Sequence, residues 1–156
     1  MNFMHFKFPT KQQEAIWLKR RQEVPPSVIA QEMDVSRALV SKAQRIAEER
    51  IEKILRYTAS SNRIKIQHIS PRYGFAVGRS PRDKSETYIV YSPALGTQVW
   101  YSHEGECKNC DEESVCQEIL HALAAEWRVP LSKDLPPTKA AEKIFVVLMR
   151  RLKWIK

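Results

Sequence analysis

Glycine is scarce in this chain. Only four of the 156 residues are glycine, Gly74, Gly78, Gly96 and Gly105, too widely scattered to build a glycine-rich loop that cradles phosphate. No Gly-x-Ser-x-Gly elbow and no His-Glu-x-x-His pattern is present either, so the residues offer no familiar catalytic signature. No apolar run approaches the ~20 residues needed to cross a bilayer, and the first residues lack the three-part form of a signal peptide. The chain is therefore expected to be cytoplasmic, with no membrane partner. Cysteine is also rare, with three in all, which excludes a disulfide-stapled scaffold. Acidic side chains are outnumbered, 18 against 26 Lys plus Arg, leaving a formal charge of +8.

What is present is a basic protein of ordinary globular composition, 43% hydrophobic and 28% charged. An excess of positive charge favours polyanionic partners. It is unevenly distributed: residues 1–65 carry 13 basic and 7 acidic side chains, residues 104–137 carry 3 and 8, and residues 138–156 carry 6 and 1. Both ends are basic and one internal segment is acidic.

The periodicity predicts an α+β fold. A first helix runs from Thr10, which forms a capping box with Gln13, to Arg21, with Ala15, Ile16, Trp17 and Leu18 as its apolar residues. A second is expected from Pro26 to about Met33, since proline at the first helical position forfeits no hydrogen bond. Asp34 and Val35 make a turn, and Ser36 caps a third helix reaching about Arg56, with Val40, Ala43, Ile46, Ala47, Ile51, Ile54 and Leu55 at helical spacing. The polar stretch Thr58 to Asn62 marks the boundary between an N-terminal domain, 1–60, and a C-terminal domain, 61–156. Four strands follow at Ile64–Ile69, Tyr73–Val77, Thr87–Tyr91 and Thr97–Tyr101, joined by short turns as an antiparallel meander. A helix over Glu112–Trp127 places Val115, Ile119, Leu123 and Trp127 at intervals of four. A last helix after Pro136-Pro137, capped by Thr138, aligns Ala141, Ile144, Phe145, Leu148, Met149 and Leu152. Val146 and Val147 widen that stripe, so the helix is either sandwiched within its domain or shared with a second copy.

Residues Pro26 to Lys42 have the spacing of two helices meeting steeply. Small Ala30 sits at the close approach, Ile29 and Met33 point inward, Val35 fills the turn, and Val40 with Ala43 anchors the following helix. Here the chain resembles the helix-turn-helix transcription regulators. With its extra first helix and long third helix, the stretch from Thr10 to Arg56 is most similar to the tetrahelical type found in sigma-factor region four, LuxR-type regulators and archaeal Tfx-type regulators. Those families often have glycine where this chain has Asp34, a residue that tolerates the left-handed conformation better than most.

The resemblance implies a transcription regulator that binds double-stranded DNA, with the third helix in the major groove. Ser36, Arg37, Ala38, Ser41 and Lys42 would then face base edges: Arg37 suits a bidentate contact to guanine and Ala38 a thymine methyl, while Lys42 and Arg45 suit bases or phosphates. Lys19, Arg20 and Arg21 are expected to serve phosphates. Such regulators usually bind as homodimers; the long third helix and the stripe from Ile144 to Leu152 are the two candidate dimer surfaces.

All three cysteines fall within ten residues, as Cys107-x-x-Cys110-x5-Cys116. In a cytoplasmic protein such clustering favours a metal over a disulfide. A structural zinc needs one more ligand. His103 is preferred, because His121 lies five residues beyond Cys116 on a helix and is turned away from it; Asp111 is a further possibility. Three cysteines can also hold an iron-sulfur cluster, which would make the segment a redox sensor. Two other function classes stay open: a metal-dependent enzyme with Glu104 or Glu106 as base and the helix-turn-helix as accessory, and an adaptor that contacts proteins instead of DNA. Tyr88, Tyr91, Trp100 and Tyr101 are read as core residues before an effector pocket, and His68 as an ordinary sheet residue.

Overall fold

A computed structural model describes residues 7–81, 84–102 and 110–156. The fold is α+β. Three helices, α1 (Lys11–Arg21), α2 (Pro26–Met33) and α3 (Arg37–Ser61), precede a four-stranded sheet of β1 (Lys65–Ser70), β2 (Phe75–Ser80), β3 (Ser85–Ser92) and β4 (Gly96–Tyr101); α4 (Glu113–Glu126) and α5 (Pro137–Arg151) follow. The strands pair in sequence order, each antiparallel to the next.

Local chemistry sets most of the boundaries. At α1 the Thr10 hydroxyl accepts from the Gln13 backbone N–H and the Gln13 side chain accepts from the Thr10 N–H. Ser36 caps α3 by accepting from the Leu39 N–H at 3.0 Å. The α3 helix runs five residues past the expected end at Arg56. The polar stretch read as a boundary is its last turn: the Thr58 hydroxyl donates back to the Ile54 carbonyl, the Asn62 side chain donates to the Thr58 carbonyl, and Ala59 is buried. At α5 the cap is Pro136 with Pro137 opening the helix, so Thr138 stands inside the first turn and is not the cap expected. The second strand begins later and ends later than predicted. Tyr73 and Gly74 belong to the turn, Gly74 with φ +69, and Gly78 does not end the strand. It lets β1 approach so closely that a Cβ there would run into the Lys65 carbonyl.

The five helices among the described residues end the same way, and none uses glycine. Glu23, Asp34, Arg63, Arg128 and Lys153 each take a left-handed φ between 53 and 66. The next residue in each case is apolar, Val24, Val35, Ile64, Val129 or Trp154. Its N–H donates to a carbonyl five residues back, at 2.8–3.0 Å. This is the Schellman closure, which satisfies orphan carbonyls and docks an apolar side chain on the helix it ends. A non-glycine residue there carries a steric cost of roughly 1–2 kcal/mol. Arg63 is exposed and makes no ion pair among the described residues. Arg63→Gly is therefore expected to stabilise the protein by about 0.5–1 kcal/mol, after the extra unfolded-state entropy of glycine is subtracted; urea denaturation reads this directly, and a lower midpoint would contradict it.

The sheet is covered on both faces. Phe75, Val77 and Val90 face α4 and α5, where Leu120, Leu123, Ala124, Trp127, Ile144, Phe145, Leu148 and Met149 complete one core. Ala76, Ile89 and Tyr91 face the other way, onto Trp17 of α1 and Ala47, Ile51, Ile54 and Leu55 of α3. Side chains from both sides of residue 60 thus share a core. A third cluster of Ile16, Ile29, Ala30, Val40 and Ala43 ties α1, α2 and the start of α3 together. Of the stripe expected on α4, Leu123 and Trp127 are buried beside Leu120 and Ala124 and Ile119 packs against them, while Val115 is 48% exposed. The broad stripe of α5 is sandwiched within the chain: Phe145 stacks on Tyr88 at 4.4 Å and on Phe75 at 5.9 Å. Trp154, just after α5, stacks between Phe75 and His68 of the edge strand β1.

Candidate nucleic-acid interface

The first turns of α3 present a small basic surface. Inward-facing Val40 and Ala43 pin the helix to α1 and α2. That leaves Ser36, Arg37, Ala38, Ser41, Lys42 and Arg45 exposed together on the outside. No acidic residue lies in the first turn of α3, so its positive dipole end is not neutralised from within the helix. Arg37 and Lys42 make no ion pair among the described residues, whereas Arg45 reaches Glu49 at 3.3 Å. One turn further Glu52 meets Arg56 at 3.6 Å. Further along α3, Arg50 donates to the Phe8 carbonyl and to Gln13, not to a carboxylate.

The three basic residues expected to serve phosphates all make contacts within the chain, and one of them, Arg21, is buried. Lys19 bridges α1 to α2 through Glu32 at 3.0 Å. Arg20 donates to the Val24 carbonyl at 2.8 Å and to Gln44 of α3 at 3.1 Å, bracing the corner that α1 makes with α3. Arg21 is 7% exposed. Its guanidinium lies between the rings of Trp17 and Trp127, 4.8 and 4.3 Å from their centroids, and donates to the carbonyls of Tyr73 and Glu126 at 3.2 and 3.1 Å. Burial pulls its pKa down to about 10 against the opposing pull of Glu126, which leaves it a cation at neutral pH. A phosphate role for Arg21 does not fit this placement, because its charge is enclosed by α1, α4 and the β1–β2 turn. The sequence held a signal for it. Arg21 is four residues from Trp17 and so shares the face that carries this buried ring.

Around this arginine lies a second group of polar contacts absent from the sequence reading. The Ser92 hydroxyl donates to Glu126, the Tyr91 hydroxyl donates to Glu14 at 2.7 Å, and the Arg151 guanidinium donates to the carbonyls of Trp127 and Arg128. Burial raises the pKa of Glu126, partly offset by the Ser92 hydrogen bond and Arg21. Burial likewise raises that of Tyr91, with Glu14 adding to the rise. Compared with protein families, with curated proteins and with solved structures, the chain matches none.

The cysteine segment is described only in part. His103, Glu104, Glu106 and Cys107 lie outside the described residues. Cys110 is exposed just before α4, and Cys116 is half-buried in the first turns of that helix. Asp111 is exposed and His121 half-buried. Among the described residues no three metal-ligating side chains come together, and no helix is long and apolar enough to cross a membrane. Tyr88 and Tyr91 pack in the two cores, and Trp100 packs against that of α4 and α5. His68 is exposed and stacked on Trp154.

Proposed function

We propose that the protein is a sequence-specific DNA-binding transcription regulator that reads the major groove with the first turns of α3. The observation that carries this is the joint exposure of Arg37, Ala38, Ser41, Lys42 and Arg45 on one end of a helix held from behind by α1 and α2. The absence of an acidic residue from the first turn of α3, and of ion pairs at Arg37 and Lys42 among the described residues, supports it. Arg37 is assigned to a base edge and Lys42 to a phosphate. On an operator selected from a random duplex library, Arg37→Ala should weaken binding by about 1–3 kcal/mol and relax preference at one base pair. Lys42→Ala should weaken all duplexes alike and lower the salt slope by about one. Equal affinity of Arg37→Ala and wild type for the operator would overturn the assignment.

The regulator is proposed to act as a homodimer on two-fold sites, as this mode of groove reading usually requires. The stripe from Ile144 to Leu152 is not the dimer surface, because Ile144, Phe145 and Leu148 fill the chain's own core.

We further propose that Cys107, Cys110, Cys116 and His103 hold a structural zinc ion. The support is the cysteine spacing together with the position of Cys116 at the start of α4, where the helix dipole favours a thiolate. Metal analysis of protein purified without oxygen should find about one zinc per chain and no visible absorption. Iron with visible absorption would replace zinc by an iron-sulfur cluster and make the segment a redox sensor; no bound metal would dismiss both.

A further inference from the structure

The two edges of the sheet are built differently. Among the described residues the outer strands are β1 and β4. An edge strand invites pairing with another strand, and proteins guard such edges with charges, bulges or covering side chains. On β1 all three are present: Lys65 and His68 are exposed, the register shifts between Ile66 and His68, and Trp154 stacks on His68. By contrast β4 carries no charge and no proline, and it pairs with β3 in an unbroken register from Gly96 to Tyr101. It lies in the longest run of the chain without Asp, Glu, Lys, Arg or His, Thr87 to Ser102, in a protein whose residues are 28% charged. The ladder also fixes which backbone groups point outward. The Ser102 N–H donates to the Glu86 carbonyl at 2.9 Å. Partners alternate along an antiparallel ladder, so Trp100 and Gln98 bond to β3 as well, while Thr97 and Val99 turn their N–H and C=O groups away from it. No described strand lies beyond them. Val99 packs on the core under α3 and Trp100 on that under α4 and α5, so the strand is anchored on both faces.

We propose that this edge pairs with β4 of a second copy, antiparallel about a two-fold axis at Gln98, joining two four-stranded sheets into one. A strand paired in this way presents the same groups to its copy as the copy presents to it. Thr97 of each copy faces Val99 of the other, and every outward N–H meets an outward carbonyl. Gln98 stands opposite its own copy at a closely spaced position without backbone hydrogen bonds. Its side-chain amide donates to the Leu95 carbonyl at 3.0 Å and keeps a second N–H and its own oxygen for the amide across the axis. Charge singles out this place for self-association. Two chains of formal charge +8 repel each other where basic surfaces meet, and β4 brings no charge to the contact. The inference deepens the homodimer proposed above and rests on that reading for its use at two-fold sites.

The interface is tested without DNA, so it and the DNA reading can fail separately. Sedimentation equilibrium of the full-length protein alone should show a dimer. Gln98→Lys sets two like charges directly opposite each other and should raise the dimer dissociation constant about tenfold or more, with cooperative thermal unfolding retained. Gln67→Lys makes the same change at an exposed position of the other edge and should dimerise like wild type. Amide hydrogen exchange of the wild type needs no variant and decides the matter even if Gln98→Lys does not fold. The Thr97 and Val99 amides should exchange quickly in dilute protein and slowly in concentrated protein, whereas those of Gln98 and Trp100, bonded to β3, should stay protected in both. A monomer at every concentration, a dimer that Gln98→Lys leaves intact, equal weakening by the two substitutions, or exchange at Thr97 and Val99 that does not depend on concentration would overturn the proposal.

Discussion

Replacing Arg21 by alanine is expected to lower the stability of the whole protein by about 3–5 kcal/mol, without changing the salt dependence of the proposed DNA binding by the fraction that stays folded. The substitution removes a buried cation from between two indole rings, leaves the Glu126 carbonyl without its donor and leaves the Tyr73 carbonyl with only the Trp127 indole N–H. A buried polar group so orphaned costs about 1–3 kcal/mol, and the lost ring contacts add to that. For a chain of this size the thermal midpoint should fall by roughly 10 °C. Arg20→Ala, at a half-buried site of the same triplet, should cost much less. Calorimetry of the two variants measures the difference. If Arg21→Ala kept the wild-type midpoint and instead reduced the salt slope of DNA binding by about one, Arg21 would be a phosphate contact after all.

Phe145→Glu should fail to fold. The sequence alone makes this variant a test of dimerisation, since an apolar helix face is satisfied equally well by a second copy. In the structure the ring of Phe145 is 1% exposed and stacks on Tyr88 and Phe75, so a carboxylate there would sit in a wholly apolar layer. Loss of the ring costs about 3–5 kcal/mol and desolvation of a charge adds more. This approaches or exceeds the 5–15 kcal/mol by which proteins are usually stable. Circular dichroism and urea denaturation decide it: a cooperatively folded monomer with a wild-type midpoint would show that α5 is not central to the core.

The parts of the fold that were legible in the sequence are those fixed by short-range chemistry. The Thr10–Gln13 capping box, Pro26 at the start of α2, Ser36 at the start of α3 and the meander of four strands all depend on neighbours within a few residues. The misread parts depend on partners far along the chain. The last turn of α3 is polar in sequence and helical in fact, because Ala59 is buried in the core that also holds Ile64, Ala76 and Ile89. Val115 fits a helical stripe with Ile119 and Leu123, yet the sheet covers only the second half of α4. Arg21 resembled its neighbours Lys19 and Arg20 until Trp127, more than a hundred residues away, closed over it. One local signal was there to be read. A charged residue followed by an apolar one closes every helix, from Glu23-Val24 to Lys153-Trp154, and in a chain with four glycines it takes the place of the usual glycine.

For the candidate site, the exposure of Ser36, Arg37, Ala38, Ser41, Lys42 and Arg45 follows from helical spacing against Val40 and Ala43, and the structure bears out that geometry. The ion pairs of Arg45 with Glu49 and of Arg56 with Glu52 are also a matter of spacing, at four residues.

The measurement that tests the central proposal most directly is the affinity of the wild-type protein for its selected operator and for an unrelated duplex, across a range of salt concentrations. A DNA-binding regulator should prefer the operator by about a thousandfold or more, and its affinity for both duplexes should fall steeply and linearly on logarithmic axes as salt rises. Weak binding that does not distinguish the two duplexes would contradict the account and leave the basic end of α3 as a solvated helix surface.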